Sequence, residues 1–538
     1  MNRQPIRELR TYQQQDKEAI ERHGNTLLVK PTGVGKTLTA LAVTAEKLWH
    51  SPYGQAIFMA PTNVLVDQHC LYTRQQLQAS EKEVVALTGL KAKARLEIYQ
   101  SSGSRIIFGT PETIANDSEF ISWQRAPIVV FDEAHETVGK DASAKVARAI
   151  RALPEEQRPL RLAMTASPGK RMEEIISWLE IRHIIVRDDD DPEVRSYIFH
   201  LRRDWQDFEL PQEMKAFRQQ LEDLGDPCRV FLEKHGVLSS NPQSLLWQDL
   251  EEERWEKEFP QRADLLPLYE KITSQTQKTK DELTAMTDSW LASRKRTQLS
   301  VLHAAFNQVT MLIRIWHMID LLESYGVGPL RLHLLGLLDE DKLANCHPAI
   351  RVLVRNRPFQ SLIAECDRLL ASGIDHPKLD FLEERCRQWL AEGKFVLIFV
   401  RYRYGVDNTS QRFQAKGIDA RAIMGGSKSK KALAERKQLL ADFGERQFPI
   451  LVSTQVIQQG IHVPAVDVVV CFDGCVNDIE WIQRRGRTAR VKDGEVWCFF
   501  TRNNIDAAYF WSSRKKEEKN REKLQRILSQ LEIQPRVG

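Results

Sequence analysis

Short apolar runs alternate with longer stretches of helical period from residue 26 to about residue 186. The runs are 27–29, 56–59, 105–108, 128–131 and 162–164, with 184–186 closing the series. Each is too short for a stable helix and lacks polar alternation, which predicts strands buried on both faces. The helical stretches between them supply crossovers, so the pattern predicts βαβ units around a parallel sheet. Asp188 to Asp191, followed by Pro192, ends the pattern; four carboxylates there read as a solvated turn and mark a boundary. From about 205 to 382 the β-type runs fade. Within 300–325, Leu302, Phe306, Val309, Ile313, Trp316, Ile319 and Leu322 recur at steps of three and four, the stripe of a core-facing helix. Alternation returns with runs 395–400, 450–452, 466–472 and 496–500. In the tail Leu524, Ile527, Leu528 and Leu531 share one helical face, which suits a docking helix or a frayed end.

The pattern therefore predicts an α/β protein: two parallel-sheet domains separated by an α-helical insertion. The expected division is 1–190, 191–385, 386–511 and a helical tail 512–538. A length of 538 residues accommodates this, at ~150 residues per domain. No apolar run approaches the ~20 residues that span a bilayer, and the Arg-bearing start has no apolar block of a secretory signal. No membrane association and a cytoplasmic location are expected. Lys and Arg outnumber Asp and Glu by 77 to 73, so an anionic partner has to be met by a local patch and not by bulk charge. Of the eight cysteines only Cys471 and Cys475 are close, with no second pair or histidines at ligand spacing, so reduced core thiols are expected.

Chemistry enters at the end of the first run. There Lys30-Pro31-Thr32-Gly33-Val34-Gly35-Lys36-Thr37 leads into the helical 38–43. Gly33 and Gly35 let backbone amides curl around phosphate oxygens, Lys36 neutralises the outer phosphates, and Thr37 can ligate Mg²⁺ at a helix start. The strict pattern has Gly where Lys30 stands. A second element, Asp132-Glu133-Ala134-His135, follows the run 128–131 and brings two carboxylates to the carboxyl edge of the same sheet. Such dipeptides are ordinarily just solvated. Downstream of a phosphate loop, Asp132 reads as an Mg²⁺ holder through water and Glu133 as the residue that orients or deprotonates the attacking water.

With these residues in place the chain resembles the superfamily 2 helicases, and the motifs run in family order. Arg10-Thr11-Tyr12-Gln13 resembles the adenine-reading segment, with Gln13 as the base contact. Ala60-Pro61-Thr62, Thr88-Gly89 and Gly109-Thr110-Pro111-Glu112 resemble the nucleic-acid motifs of the first domain, and Thr165-Ala166-Ser167 the motif that couples hydrolysis to movement. In the second domain the matching segments are 399–403 with Arg403, Gly425-Gly426-Ser427, Ser453-Thr454-Gln455, and 483–490 with Gln483, Arg487 and Arg490. The resemblance implies two RecA-like domains, ATP with Mg²⁺, and Arg487 and Arg490 reaching across the cleft to the γ-phosphate, with Gln483 beside the nucleotide. It also implies phosphate contacts by Thr62, Thr110, Arg403, Ser427 and Thr454, which track a backbone without reading sequence.

Within the superfamily the likeness is to the Hef and Fanconi-anaemia M-type translocases, with RIG-I-like and Dicer helicases further off. The DEAH box, the segment 187–197, the helical insertion and His376-Pro377-Lys378-Leu379 carry it. His462 stands where the family has Asp, which leaves that contact open, and Ala489 replaces a Gly. Glu435-Arg436-Lys437 with Asp442 is one residue too long for a nuclease core and reads as a solvated helix face. The expected function is an ATP-dependent helicase or translocase on nucleic acid, DNA favoured and RNA left open. Alternatives are a duplex nucleic-acid sensor, or the motor subunit of a nuclease or phage-defence complex that would supply a protein partner.

Overall fold

The computed structural model describes residues 1–31, 33–136, 142–166, 172–187, 191–195, 201–235, 262–285, 289–339, 343–424, 430–454, 466–473, 494–502 and scattered positions of the tail between 507 and 529. Thr32, Ser427, His462, Gln483, Arg487 and Arg490 lie outside the described residues.

Seven strands form the first sheet: β1 (Thr26–Val29), β2 (Ala56–Met59), β3 (Val84–Ala86), β4 (Ile106–Gly109), β5 (Ile128–Phe131), β6 (Leu160–Thr165) and β7 (His183–Val186). They are parallel, in the order β3-β4-β2-β5-β6-β1-β7. The strands β1, β2, β4 and β5 are buried along their whole length, as unbroken apolar runs require. One face of the sheet packs Leu28, Phe58, Phe108 and Val130 against Leu41 and Val66; the other packs Leu27, Ile57, Ile107 and Val129 against Val146 and Ile175.

The second sheet comprises β8 (Leu201–Phe208), β9 (Val396–Phe399), β10 (Ala420–Ile423), β11 (Ile450–Ser453), β12 (Val468–Cys471) and β13 (Gly494–Thr501). Its order is β10-β11-β9-β12-β13-β8, again parallel. Here the structure departs from the expected division. Residues 201–208, placed by sequence at the head of a helical segment, pair with β13 from Leu201↔Gly494 to Phe208↔Thr501. The edge strand β8 is mostly polar, with only Leu201, Trp205 and Phe208 apolar, so it shows no continuous apolar run. The short β3 and β10 were missed for a related reason: β3 is only three residues long, and β10 places an exposed Arg421 between apolar neighbours.

Between β8 and β9 the chain is helical, dominated by Gln212–Lys234, Arg262–Ala285 and Ser289–Tyr325. The far half of this arm closes a core of its own around Leu232, Ile272, Leu302, Val309 and Trp316. The near half, with Ile315, Leu322, Tyr325, Leu379 and Trp389, shares one core with the second sheet. In the tail, Leu524 and Ile527 pack into the first domain's core beside Met172 and Ile175, and Lys523 pairs with Glu173 at 3.1 Å. Among the described residues no helix is long and apolar enough to cross a membrane.

Candidate nucleotide site and nucleic-acid track

The strand order of the first sheet divides its carboxyl edge in two. Adjacent strands β5, β6 and β1 deliver Asp132-Glu133, Thr165 and the phosphate loop side by side; neighbouring β2 and β4 deliver Thr62 and Thr110. The residues expected to serve the nucleotide and those expected to contact a nucleic-acid backbone thus lie on opposite halves of one edge, where ligands of open α/β sheets bind.

The loop is held from outside by helix α1 (Thr11–His23) and runs into helix α2 (Lys36–Trp49). Gly33 and Gly35 take positive φ of 91° and 78°, and a Cβ at Gly35 would collide with the Gln13 carboxamide. That carboxamide donates to the carbonyls of Val34 and Gly35 at 3.3 and 3.4 Å and accepts from the Arg10 backbone N–H at 3.0 Å. Gln13, expected to read the base, is therefore bonded to the loop itself. The Tyr12 hydroxyl adds a bond to Val34 O at 2.8 Å. Lys36 Nζ donates to the carbonyls of Lys30 and Pro31 at 3.0 and 3.3 Å, which keeps the ammonium over the cradle. Thr37 follows at the start of α2, where unpaired amides and the helix dipole favour an anion.

Across the edge, Asp132 Oδ2 lies 3.0 Å from His69 Nε2. Burial pushes the Asp132 carboxyl upward, but the bond to His69 and the charge of Lys36 outweigh it and hold the group below its ordinary value, ionised at neutral pH. Glu133 sits at φ 49°, a left-handed conformation that is costly for a side chain with a Cβ and that clusters at functional sites. Its Oε2 is 3.5 Å from His135 Nδ1, which lies 3.2 Å from Thr165 Oγ1 at the end of β6. One histidine thus joins the acidic pair to the segment expected to couple hydrolysis with movement.

On the track side, Thr62 and Thr110 are helix N-caps, accepting from the N–H groups of Leu65 and Thr113 at 3.3 Å each. Helix α3 (Asn63–Leu77) is capped by Thr62 and carries His69, so the helix that opens at a residue expected to meet nucleic acid reaches the Asp132 carboxylate. In the second sheet Arg403 opens a helix after β9 and is exposed, whereas Thr454 follows β11 and is buried. Sequence reasoning missed His69, because nothing in the spacing within α3 signals a partner 63 residues away. It read Lys30 only as a departure from the loop pattern; the side chain is buried and ion-paired to Asp16.

Comparison with known proteins agrees with this geometry. Residues 10–175 match the DEAD/DEAH box helicase family and residues 377–492 the helicase conserved C-terminal domain. A crystal structure of the Pyrococcus furiosus Hef helicase domain is 30% identical, covers 94% of this chain and 98% of that one, and superposes with a TM-score of 0.63. A candidate ATP-dependent RNA helicase of Methanocaldococcus jannaschii is 27% identical over 91% of the chain. The ATP-dependent DNA helicase mph1 of Sclerotinia sclerotiorum is 26% identical over 94% of it. The chain spans 58% and 40% of the lengths of those two relatives.

Proposed function

The chain belongs to the superfamily 2 DExH helicases, in the Hef and Fanconi-anaemia M group, and on that premise we propose that it is an ATP-dependent DNA helicase or translocase. The observation that carries the reading is the adjacency of β5, β6 and β1, which brings Lys36, the Asp132-Glu133 pair and Thr165 to one edge. Lys36 and the loop amides bind the phosphates. Glu133 orients the attacking water and takes its proton, and the His135 contact with Thr165 passes the state of that site into β6. Arg487, Arg490 and Gln483 would complete the nucleotide site from the second domain.

The donor set suits Mg²⁺: a hydroxyl at a helix start (Thr37) and an ionised carboxylate (Asp132). When bound, Mg²⁺ would neutralise charge that develops on the phosphates.

Thr62, Thr110, Arg403, Ser427 and Thr454 would hold the nucleic-acid backbone, so affinity should fall steeply with salt. DNA is favoured because the mph1 relatives are named DNA helicases, while the archaeal relative's name keeps RNA in the test. A cytoplasmic setting fits the seven described cysteines, all free.

ATP turnover measured against single-stranded, duplex and forked DNA and single-stranded and duplex RNA at fixed salt checks the reading. Stimulation by DNA is expected, strongest on a structure the helical arm can grip. Turnover indifferent to every nucleic acid would refute it.

A further inference from the structure

Lys30 follows β1 and begins the phosphate loop, yet its side chain is sunk into the protein, where it is 0% exposed. There its ammonium forms an ion pair with Asp16 of α1, itself 1% exposed; it also lies 3.4 Å from Thr39 Oγ1 of α2 and 5.0 Å over the Tyr12 ring. The other Asp16 oxygen accepts from Arg187 Nε at 3.1 Å. Arg187 continues outward, donating to Gln15 Oε1 at 2.9 Å and Asp191 Oδ2 at 3.0 Å. A buried lysine, a buried aspartate and a half-buried arginine therefore join the loop, α1 and the segment that leaves the first domain.

That segment also touches the loop directly. The exit helix Pro192–Arg195 packs Val194 against Tyr12 and Val34, a small cluster separate from the main cores, and Glu193 accepts from Gln15 Nε2 at 3.0 Å. The next described residues are those of β8, hydrogen-bonded along its length to β13 of the second sheet. Loop and exit helix are thus joined by contacts, and the chain that leaves the exit helix enters the second sheet at β8. A buried ion pair is a poor way to gain stability, since apolar residues of similar volume usually do as well, so its presence beneath a phosphate loop asks for another reason.

We propose that Lys30 is a positioning residue: through Asp16 and Arg187 it couples the phosphate loop to the exit segment, so that nucleotide in the loop is felt at β8 in the second sheet. This rests on the nucleotide-binding part of the proposed function. Phosphates arriving at Lys36 and the loop amides shift Val34 and the backbone of Lys30; the triad makes α1, Arg187 and residues 191–195 follow together.

Hydrogen exchange tests the coupling without a nucleic-acid track. In the wild-type chain a non-hydrolysable ATP analogue, AMP-PNP, should slow exchange across 191–208 by about fivefold or more, the lower end of ordinary coupling between sites. Three variants are compared: Lys30→Met, Lys30→Met with Asp16→Leu, and Arg187→Met. The single Lys30 variant leaves the buried Asp16 carboxylate with Arg187 as its remaining ionic partner and should lose thermal stability, whereas the double variant removes the buried pair and should regain it. In the double variant and in Arg187→Met, mant-ATP fluorescence should still report nucleotide binding, while the response of 191–208 falls to within about twofold of none. Should that response return with stability in the double variant, or survive in Arg187→Met, the triad is a structural staple and the coupling role is overturned. A wild-type chain that binds AMP-PNP without any response at 191–208 overturns it as well. Turnover unstimulated by any nucleic acid, with the exchange response intact, would sink the proposed function alone.

Discussion

The two sheets share a topology but are supported in opposite ways. The first is built from a continuous stretch of chain and backed by charge: Lys30, Asp16 and Arg187 lie behind its loop, and His69 and Lys36 beside its acidic pair. The second is assembled from two distant segments, with β8 arriving before the arm and β9 to β13 after it. It is backed by the last turn of the long helix Ser289–Tyr325. There Tyr325 bonds the Asp473 carboxylate, which also accepts from Arg401 N at 2.6 Å; Tyr402 donates to Asp320 Oδ2 at 2.6 Å; and the Val327 N–H donates to Asp375 Oδ1 at 2.7 Å. The bonds of Tyr325 and Asp320 tie the helix end to the carboxyl ends of β9 and β12, and that of Val327 ties the following turn to the entry of the helix Pro377–Ala391. The arm is therefore an outgrowth of the second domain, flanked by β8 and β9 of the same sheet, and should move with it.

The sharpest test of that contrast is to damage each sheet at its own support. Lys36→Ala or Glu133→Gln should reduce nucleic-acid-stimulated ATP turnover by roughly 100- to 10,000-fold, the range for losing a general base or a main electrostatic contact, with the fold intact by circular dichroism. Turnover within about tenfold of wild type in both variants would place the chemistry elsewhere. Tyr325→Phe, in contrast, leaves the first sheet untouched. It removes a donor from a buried carboxylate and should cost about 1–3 kcal/mol of second-domain stability. Calorimetry should show the transition that contains the arm and the second sheet moving together. Separate movement of the arm would break the picture of one unit.

How much of this was legible in the sequence follows from the same contrast. The first sheet could be read almost strand by strand, because its members are buried on both faces and its chemistry sits in two local motifs at strand ends. Its supports were not legible, since Asp16, Lys30 and Arg187 are brought together only by the pairing of β1 with β7 and the seating of α1. In the second sheet the central strands were visible, but β8 was not. A mostly polar edge strand looks like a linker until its partner, nearly 300 residues away, is known. His376 was picked out by its motif, and the structure gives it a physical task. Its Nδ1 accepts from the Lys378 N–H at 3.1 Å as a helix cap, and Nε2 lies 2.8 Å from Glu323 O and 3.0 Å from Thr501 Oγ1. That pattern requires the neutral ring with its proton on Nε2.

The smallest effect expected is an acid limb in the second domain. Burial, reinforced by the nearby Lys378 charge, holds His376 well below the ordinary histidine value; burial, with the charge of Arg314, brings His333 down to about 4. Both rings stay neutral in the folded chain at pH values where unfolded histidines, titrating near ~6.5, take up protons. The unfolded state then binds more protons, so stability falls as pH drops below about 6.5, by at most ~1.4 kcal/mol per pH unit for each ring. Asp375 acts in the opposite sense. Its carboxyl is raised by burial, so it binds its proton earlier in the folded state and gains stability as pH falls. His333 lends itself to separation from the rest because neither ring nitrogen has a hydrogen-bond partner; it stands edge-on to His317 and Tyr404. His333→Leu should leave stability at pH 7 unchanged or slightly higher and make the limb between pH 6.5 and 5 shallower, while the transition of the first sheet keeps its own pH profile. Thermal midpoints followed across that range decide the matter: an acid limb equally steep with and without His333 would assign the whole effect to other groups, and His376 would be the next to replace.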